Sequence, residues 1–240
     1  MKDRAEIKQT AKALFHSRYG LCIAAFTVFT LITSTVSVIH DVADREQTIW
    51  RLIGWSLHVD RAGMLWLAIV SMLISLFIAP PMIVGYKSFC LRVWRGGHAN
   101  VGGIFRDGFS ESYGRNVGSI FMMNLFISLW SLLLIIPGII AALSYFMTPY
   151  ILAEYPRIGA SEAIALSKRM TKGYKGEIFV AQLSFIGWWL LSLLTLGLAE
   201  MLYVGPYYET SMVGLYDELK RNVFESGKVS DNELHSNIPM

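Results

Sequence analysis

The fold is decided by an uncharged stretch that reads VGSIFMMNLFISLWSLLLIIPGIIAALSYFMTPYILA and runs from Val117 to Ala153. About 20 consecutive apolar residues form a helix that crosses the hydrocarbon core of a membrane, so this stretch is long enough for two short crossings. The Pro137-Gly138 pair near its middle is a strong turn signal. The stretch therefore predicts two membrane helices joined by a tight turn at Pro137 and Gly138.

Three further stretches also lack charge: Tyr19–Ile39, Gly63–Tyr86 and Ile178–Ala199. The whole chain of 240 residues is 54% hydrophobic and only 16% charged, whereas about a quarter of the residues in an average soluble domain are charged. Composition therefore argues against a soluble globule. It predicts an all-α, polytopic membrane helix bundle.

We predict about six spans in one membrane domain covering residues 1–240. The domain has a cytoplasmic amphipathic lead (1–18), a membrane bundle (19–216) and a cytoplasmic tail (217–240). The predicted spans are Tyr19–Ile39, Gly63–Ser88, Val117–Ile136, Gly138–Ala153, Ile178–Thr195 and Leu198–Tyr216.

The distribution of Lys and Arg predicts the orientation of the bundle, because basic residues gather in cytoplasmic loops. With six spans and a cytoplasmic N-terminus, the outer loops hold only Arg45, Arg51 and Arg61 of the 21 basic residues. Four or five spans would break this segregation. Both termini are therefore predicted to be cytoplasmic. The first outer loop, His40–Ala62, contains Trp50 and Trp55 and is predicted to lie in the outer interface.

A threefold internal repeat is suggested by the order of the segments. Each unit begins with a short amphipathic segment typical of a helix in the inner interface, and a tyrosine (Tyr19, Tyr113 or Tyr174) follows. A span, a tight outer turn and a proline-containing span complete the unit. Three unrelated hairpins are the alternative. The amphipathic segments, each with the residues predicted on its apolar face, are Lys2–Phe15 (Ile7, Ala11, Leu14, Phe15), Val101–Phe109 (Val101, Ile104, Phe105, Phe109) and Ser161–Met170 (Ala163, Ile164, Leu166, Ser167, Met170).

Proline inside the second helix of each pair predicts how these helices face. Proline lacks the backbone N–H and clashes with the carbonyl four residues back, which releases the carbonyls of Phe77, Tyr145 and Leu202. Freed carbonyls need partners that lipid does not provide. We therefore predict that the broken helices lie inward, around a common axis. The helix-breaking residues are Pro80, Pro81, Pro149 and Pro206.

Few ionisable residues fall at membrane depth, and such residues are candidates for function. Lys87, Glu154 and Glu209 lie three to six residues after the helix-breaking prolines. One hypothesis is that Glu154 and Glu209 face Lys87 and together bind a cation or a polar headgroup. The alternative is a structural ion pair, or side chains that reach to the interface. Glu200 lies near the outer end of the last span.

Signatures of catalysis and of cofactor binding are missing from the sequence. The five histidines show no metal-ligand spacing such as HExxH, and the Gly-rich segments form no phosphate loop. No basic stretch is interleaved with aromatic residues as in a nucleic-acid platform. Cys22 and Cys90 are predicted to be free packing residues. We therefore expect no enzyme activity, no cofactor and no nucleic-acid partner.

The second half of the chain resembles a bacterial integral membrane family catalogued as domain of unknown function 975. The resemblance is strongest from about Ile135 to Tyr216. It implies a six-helix protein of a bacterial cell membrane and no assigned activity. That family is in turn distantly similar to membrane domains attached to some glycerophosphodiesterases. Glu200 departs from the small or apolar residue expected there. The resemblance is carried by the runs Ile136–Ile139, Tyr145–Glu154, Glu162–Ser167, Gly173–Lys175, Leu183–Trp188, Leu194–Gly197 and Pro206–Thr210.

Two hypotheses for function follow. The first is a non-enzymatic membrane protein that organises, protects or regulates the membrane, with membrane lipids as partners and with protein partners or self-association left open. The second is a small transporter or channel with a polar site around Glu209, among the proline-broken helices.

Overall fold

The computed structural model describes residues 4–33, 61–110 and 112–227, and every regular element in these ranges is helical. The helices, numbered α1 to α12 in chain order with one π-helix before the last, are Arg4–Ser17, Tyr19–Thr33, Arg61–Phe77, Ala79–Trp94, Gly102–Gly108, Tyr113–Leu133, Ile135–Tyr145, Thr148–Glu154, Ala160–Met170, Lys175–Leu183, Ile186–Leu194, the π-helix Glu200–Val204, and Gly205–Glu225.

Four stretches of the described chain are long and apolar enough to cross a membrane: Ile69–Trp94, Tyr113–Leu133, Ile135–Glu154 and Lys175–Leu194. The pair α1 and α2 gives a fifth if it is counted as one span, although the two helices meet at 94°. The prediction of an all-α membrane bundle is confirmed. The count of six spans is not, because the predicted last span belongs to a helix too polar to qualify.

The hairpin between the third and fourth predicted spans forms, but its turn lies before the predicted position. Helix α6 ends at Leu133, Leu134 is extended, and α7 begins at Ile135. Pro137 and Gly138 therefore lie inside the first turn of α7, where proline is tolerated because its N–H would have no helical partner. A side chain at Gly138 would collide with Ser131 of α6. The Pro-Gly pair thus permits close helix packing instead of forming the turn.

The tight outer turn predicted between the fifth and sixth spans forms at Gly197. Gly197 has a φ of +87° and Leu196 before it has a φ of 53°, so two consecutive residues lie in the left-handed region. Glycine enters this region without steric cost, and leucine does not. The reversal joins α11 to the π-helix.

The helix-breaking prolines all lie in the protein interior, which confirms the predicted inward orientation. Helix α4 packs against both α8 and α12. Lys87 of α4 pairs with Glu209, and Arg95, two turns further on, pairs with Asp217 of α12. Because the later residue of α4 pairs with the later residue of α12, the two helices run in the same direction.

At two of the three breaks a carbonyl finds a side-chain partner, although at the second break it is the carbonyl of Ser144 rather than the predicted one of Tyr145. The Tyr113 hydroxyl donates a hydrogen bond to the carbonyl of Phe77 at 3.1 Å. At the break between α7 and α8, the hydroxyls of Ser167 and Thr171 donate to the carbonyl of Ser144 at 2.9 and 3.1 Å. The N–H of Met147 donates to Ser167 Oγ at 3.1 Å. At the last break, the chain forms a π-helix, Glu200–Val204, directly before Pro206.

Two of the three amphipathic segments bury the predicted face. In α1, Ile7, Ala11 and Phe15 are buried, and α1 packs along α12. In α9, every residue of the predicted face is buried, namely Ala163, Ile164, Leu166, Ser167 and Met170.

The middle amphipathic segment differs from its prediction. In α5, Ile104 is buried, but Phe105 and Phe109 are 40% and 42% exposed. The buried face of α5 is formed mainly by Gly103, Ile104 and Gly108, because α5 packs against α4 through its backbone. The predicted interfacial loop after the first span, including Trp50 and Trp55, lies outside the described residues.

Candidate functional site

The centre of the candidate site is an ion pair between Lys87 of α4 and Glu209 of α12. Both side chains are only 14% exposed. Lys87 Nζ also stands 4.8 Å from the ring centroid of Tyr150 on α8, a distance typical of a cation–π contact. Three proline-containing helices thus meet at this pair, as the sequence predicted for Lys87 and Glu209.

Glu154 does not join this pair as the hypothesis proposed. Its carboxylate accepts hydrogen bonds from the Tyr216 hydroxyl and from Lys220 Nζ, each at 2.6 Å. Arg95 Nη1 lies 3.0 Å from the same carboxylate. The reason is that α12 continues well beyond the predicted last span, so its later turns carry Tyr216 and Lys220 past the end of α8.

Two stacked tyrosine rings connect the Lys87–Glu209 pair with the charged cluster around Glu154. Tyr150 and Tyr216 have ring centroids 5.1 Å apart and planes 17° apart. The Tyr150 ring contacts Lys87, and the Tyr216 hydroxyl donates a hydrogen bond to Glu154. The Tyr150 hydroxyl is buried and has no hydrogen-bond partner within the described chain. A buried hydroxyl without a partner is unusual and marks a position where a small polar species would be favourable.

Burial and hydrogen bonding act in opposite directions on the pKa values of Arg95 and Lys220, the two basic groups that pair with Glu154. Burial by itself would lower the pKa of Arg95, but hydrogen bonds to Asp217 and Glu154 outweigh it and raise the pKa. Burial would also lower the pKa of Lys220, and the hydrogen bond to Glu154 outweighs it in the same way. Both groups therefore stay charged throughout the physiological pH range.

The sequence did not predict four residues of this site, namely Arg95, Tyr216, Asp217 and Lys220. They fall in segments that hydropathy assigns to a loop, a helix end and the tail. A usable signal was present, because Leu215, Leu219 and Val223 continue the helical spacing of apolar residues beyond the predicted span. All three are buried.

Glu200 lies apart from these groups by its contacts. It begins the π-helix, and Ser192 Oγ of α11 donates a hydrogen bond to its carboxylate at 3.0 Å. Cys22 and Cys90 are both buried and free, as predicted. In residues 4–33, 61–110 and 112–227, no group of three His, Cys, Asp or Glu side chains could hold a metal ion.

Apolar helices of spanning length around a paired charged core define a helical membrane protein. More particularly, residues 110–223 match the family described as Protein of unknown function (DUF975). The family predicted from the sequence is thereby confirmed. No curated protein and no solved structure matches the chain. The distant similarity to glycerophosphodiesterase membrane domains stays a prediction.

Proposed function

We propose that this chain is a non-enzymatic protein of the bacterial cell membrane that organises or regulates the membrane around it, with both termini in the cytoplasm. The observation that carries the proposal is the mutual neutralisation of the buried charges. Lys87 pairs with Glu209, and Glu154 pairs with Lys220 and Arg95. Charges that hold helices together in this way support a rigid membrane body rather than a reacting centre.

The outer surface of the bundle supports the same proposal. Long apolar side chains on α6 and α11 are widely exposed, among them Leu132, Leu133, Leu193 and Leu194 at 68% or more. Such faces are favourable only when lipid or another apolar partner covers them. The protein therefore presents a large, rigid apolar surface to the surrounding lipid.

A threefold repeat of hairpins is part of the proposal. It is supported by the buried prolines of α4, α8 and α12. The contacts of α8 also follow the common direction of α4 and α12. Tyr150, at its start, lies at Lys87, and Glu154, at its end, lies at Arg95. Three returning helices that point the same way fit three copies of one hairpin.

A small transporter or channel is the second candidate, and one observation favours it. The buried Tyr150 hydroxyl has no partner in the described chain and lies beside the Lys87–Glu209 pair, where the broken helices meet. A polar solute or a proton passing through the bundle would use such a group.

Ion or solute flux into proteoliposomes separates the two candidates. The purified chain is reconstituted and compared with Glu209→Gln and with Glu225→Gln, a matched control at the exposed end of α12. The proposed function predicts no flux above that of empty vesicles for any of the three. Flux that requires Glu209 and not Glu225 would replace it with the transport candidate.

The proposed orientation has its own test. Single cysteines at Ser17 and Ser226, in a chain with Cys22 and Cys90 replaced by serine, are labelled in intact cells and in lysed cells with a membrane-impermeant maleimide. Labelling of both positions only after lysis is expected. Labelling of either position in intact cells would place that terminus outside and overturn the orientation.

A further inference from the structure

An open cleft of about 880 Å³ lies away from the central ion pair, between α4, α5, the start of α6 and the end of α8. Its lining includes neither Lys87 nor Glu209. The polar part of the lining is dominated by charged groups, namely Arg92, Arg106, Asp107 and Arg115.

The cleft exists because α5 is held tightly against α4. A side chain at Gly85 of α4 would collide with the carbonyl of Ile104, and one at Gly108 of α5 would collide with the carbonyl of Pro81. The two glycines therefore let the helix backbones touch. This contact fixes α5, and with it the charged residues of its last turns, beside the end of α4.

The one carboxylate in the described lining is already engaged. Asp107 accepts a hydrogen bond from Ser88 Oγ at 2.7 Å and pairs with Arg92. Arg106 Nε lies 3.5 Å from the other oxygen of Asp107, but its side chain is 73% exposed. A guanidinium has five N–H donors, so Arg92 and Arg106 keep donors for a second anion.

Arg115 adds a fixed positive charge to the cleft. Its guanidinium donates to the carbonyls of Leu152, Tyr155 and Ile158 and to the side chain of Asn116, at 2.7 to 3.3 Å. Carbonyls orient a guanidinium without cancelling its charge. Three guanidinium groups therefore face one carboxylate among the described lining residues, so this part of the lining carries a net positive charge.

The apolar part of the lining points to the kind of anion. Phe105 and Phe109 line the cleft and are 40% and 42% exposed, although a solvent-facing helix would not favour two such rings. Arginine binds phosphate oxygens through two parallel hydrogen bonds. A cationic cleft with an aromatic rim suits a molecule that is anionic at one end and apolar at the other.

We propose that this cleft binds the phosphate headgroup of an anionic phospholipid. Arg92 and Arg106 hold the phosphate, and Phe105 and Phe109 contact the glycerol and the upper acyl chains. The proposal rests on the proposed function, since it places the cleft at the cytoplasmic face of the membrane and names the lipid class on which the protein acts. Basic groups at that face attract anionic lipids.

Native mass spectrometry of the full-length chain tests the proposal. The detergent-purified protein is titrated with phosphatidylglycerol and with phosphatidylcholine of the same acyl chains. The wild-type chain should retain phosphatidylglycerol preferentially. The double variant Arg92→Gln/Arg106→Gln should bind it about tenfold more weakly, since charge-assisted hydrogen bonds are lost. Arg169→Gln, an exposed arginine of α9 outside the cleft, should bind it as the wild type does.

The single variant Arg106→Gln covers the case in which the double variant does not fold, because this side chain is the most exposed of the three arginines. A loss of phosphatidylglycerol preference of about threefold is expected for it, a part of the loss expected when both arginines are changed. Unchanged preference in a folded variant would overturn the proposal. So would an equal loss in Arg169→Gln.

Inorganic phosphate in millimolar excess distinguishes a lipid headgroup from a free anion. Retained phosphatidylglycerol in its presence supports the lipid site, and full displacement would identify a site for free phosphate and overturn the lipid assignment. The flux assay on Glu209 reads the proposed function separately. A flux result that overturns that function therefore leaves the lipid-binding result standing.

Discussion

Helices α6 and α12 each contain 21 residues and bury very different shares of their surfaces. Helix α6 qualifies as a membrane span, yet its buried residues are only Asn116, Ser119 and Ile120, all in its first half. Helix α12 does not qualify, yet it is buried along most of its length. The more polar helix is the one at the centre of the molecule.

The difference shows that hydropathy reports contact with lipid rather than position in the bundle. Helix α6 must satisfy lipid on most of its faces, so its large exposed side chains are mainly apolar, as Phe121, Leu129 and Leu132 show. Helix α12 is covered by α1 and α4, and its charged side chains meet partners from α4 and α8. Charges are tolerated at depth when protein surrounds and pairs them.

Breaking the central ion pair should have the largest effect on stability. Glu209→Leu leaves the Lys87 ammonium in a mostly buried site without its partner, and such a loss costs about 3–5 kcal/mol. The double variant Lys87→Met/Glu209→Leu should recover much of this loss. Unfolding in mixed micelles of a mild detergent and a denaturing detergent measures the free energy. A double variant no more stable than Glu209→Leu alone would contradict the pairing as the cause.

Truncating one leucine in each helix sharpens the contrast. Leu219→Ala on α12 removes a side chain that is 0% exposed and should cost about 2–5 kcal/mol by leaving a cavity. Leu133→Ala on α6 removes one that is 68% exposed and should change stability little, because detergent or lipid fills the space. Equal losses in the same unfolding assay would mean that α6 is covered by protein in the folded assembly.

Filling one glycine in each helix should have a smaller effect. A side chain at Gly214 of α12 would meet the Trp94 ring and Ile7, whereas one at Gly118 of α6 would meet nothing within 4 Å. Gly214→Ala should therefore destabilise by about 1–3 kcal/mol through overpacking. Gly118→Ala should stabilise by up to about 1 kcal/mol through helix propensity. Thermal unfolding of both variants checks the opposite signs, and a stabilised Gly214→Ala would refute the tight contact.

The smallest expected effect lies at the break between α7 and α8. Ser167→Ala removes the hydroxyl that donates to the carbonyl of Ser144 and accepts from the N–H of Met147. A loss of only about 0.5–1 kcal/mol is expected, because Thr171 still donates to that carbonyl. Ser161→Ala, exposed on the same helix, is the control. Faster amide exchange at Met147 in Ser167→Ala only is the confirming measurement.

The orientation of the proline-broken helices could be predicted because the argument concerned backbone groups, which every sequence carries. A freed carbonyl needs a partner whatever the fold, and Phe77 shows one in the Tyr113 hydroxyl. The Lys87–Glu209 pair followed from the same reasoning, since few charges lay at that depth. Both predictions used a physical requirement rather than a pattern of hydrophobicity.

The partners of Glu154 could not be predicted by the same route. Hydropathy ends the last span near Tyr216, but the helix continues to Glu225 because protein replaces lipid around it. The π-helix at Glu200–Val204 also changes which face of α12 each of its residues occupies, and no residue pattern in the sequence indicates this change. The turn was wrongly predicted at Pro137-Gly138, because proline and glycine occur both in chain reversals and in the first turn of a helix.

The packing of α1 on α12 has a consequence for how the molecule is made. Ile7 lies against Gly214, and the Phe15 and Tyr203 rings meet edge to face with centroids 5.4 Å apart. Helix α1 is synthesised well before α12, so its apolar face stays uncovered until α12 has been made. A chain whose synthesis stops before Gly205 therefore leaves this apolar face exposed. Cellular chaperones and proteases bind such exposed faces, so they would recognise the incomplete chain.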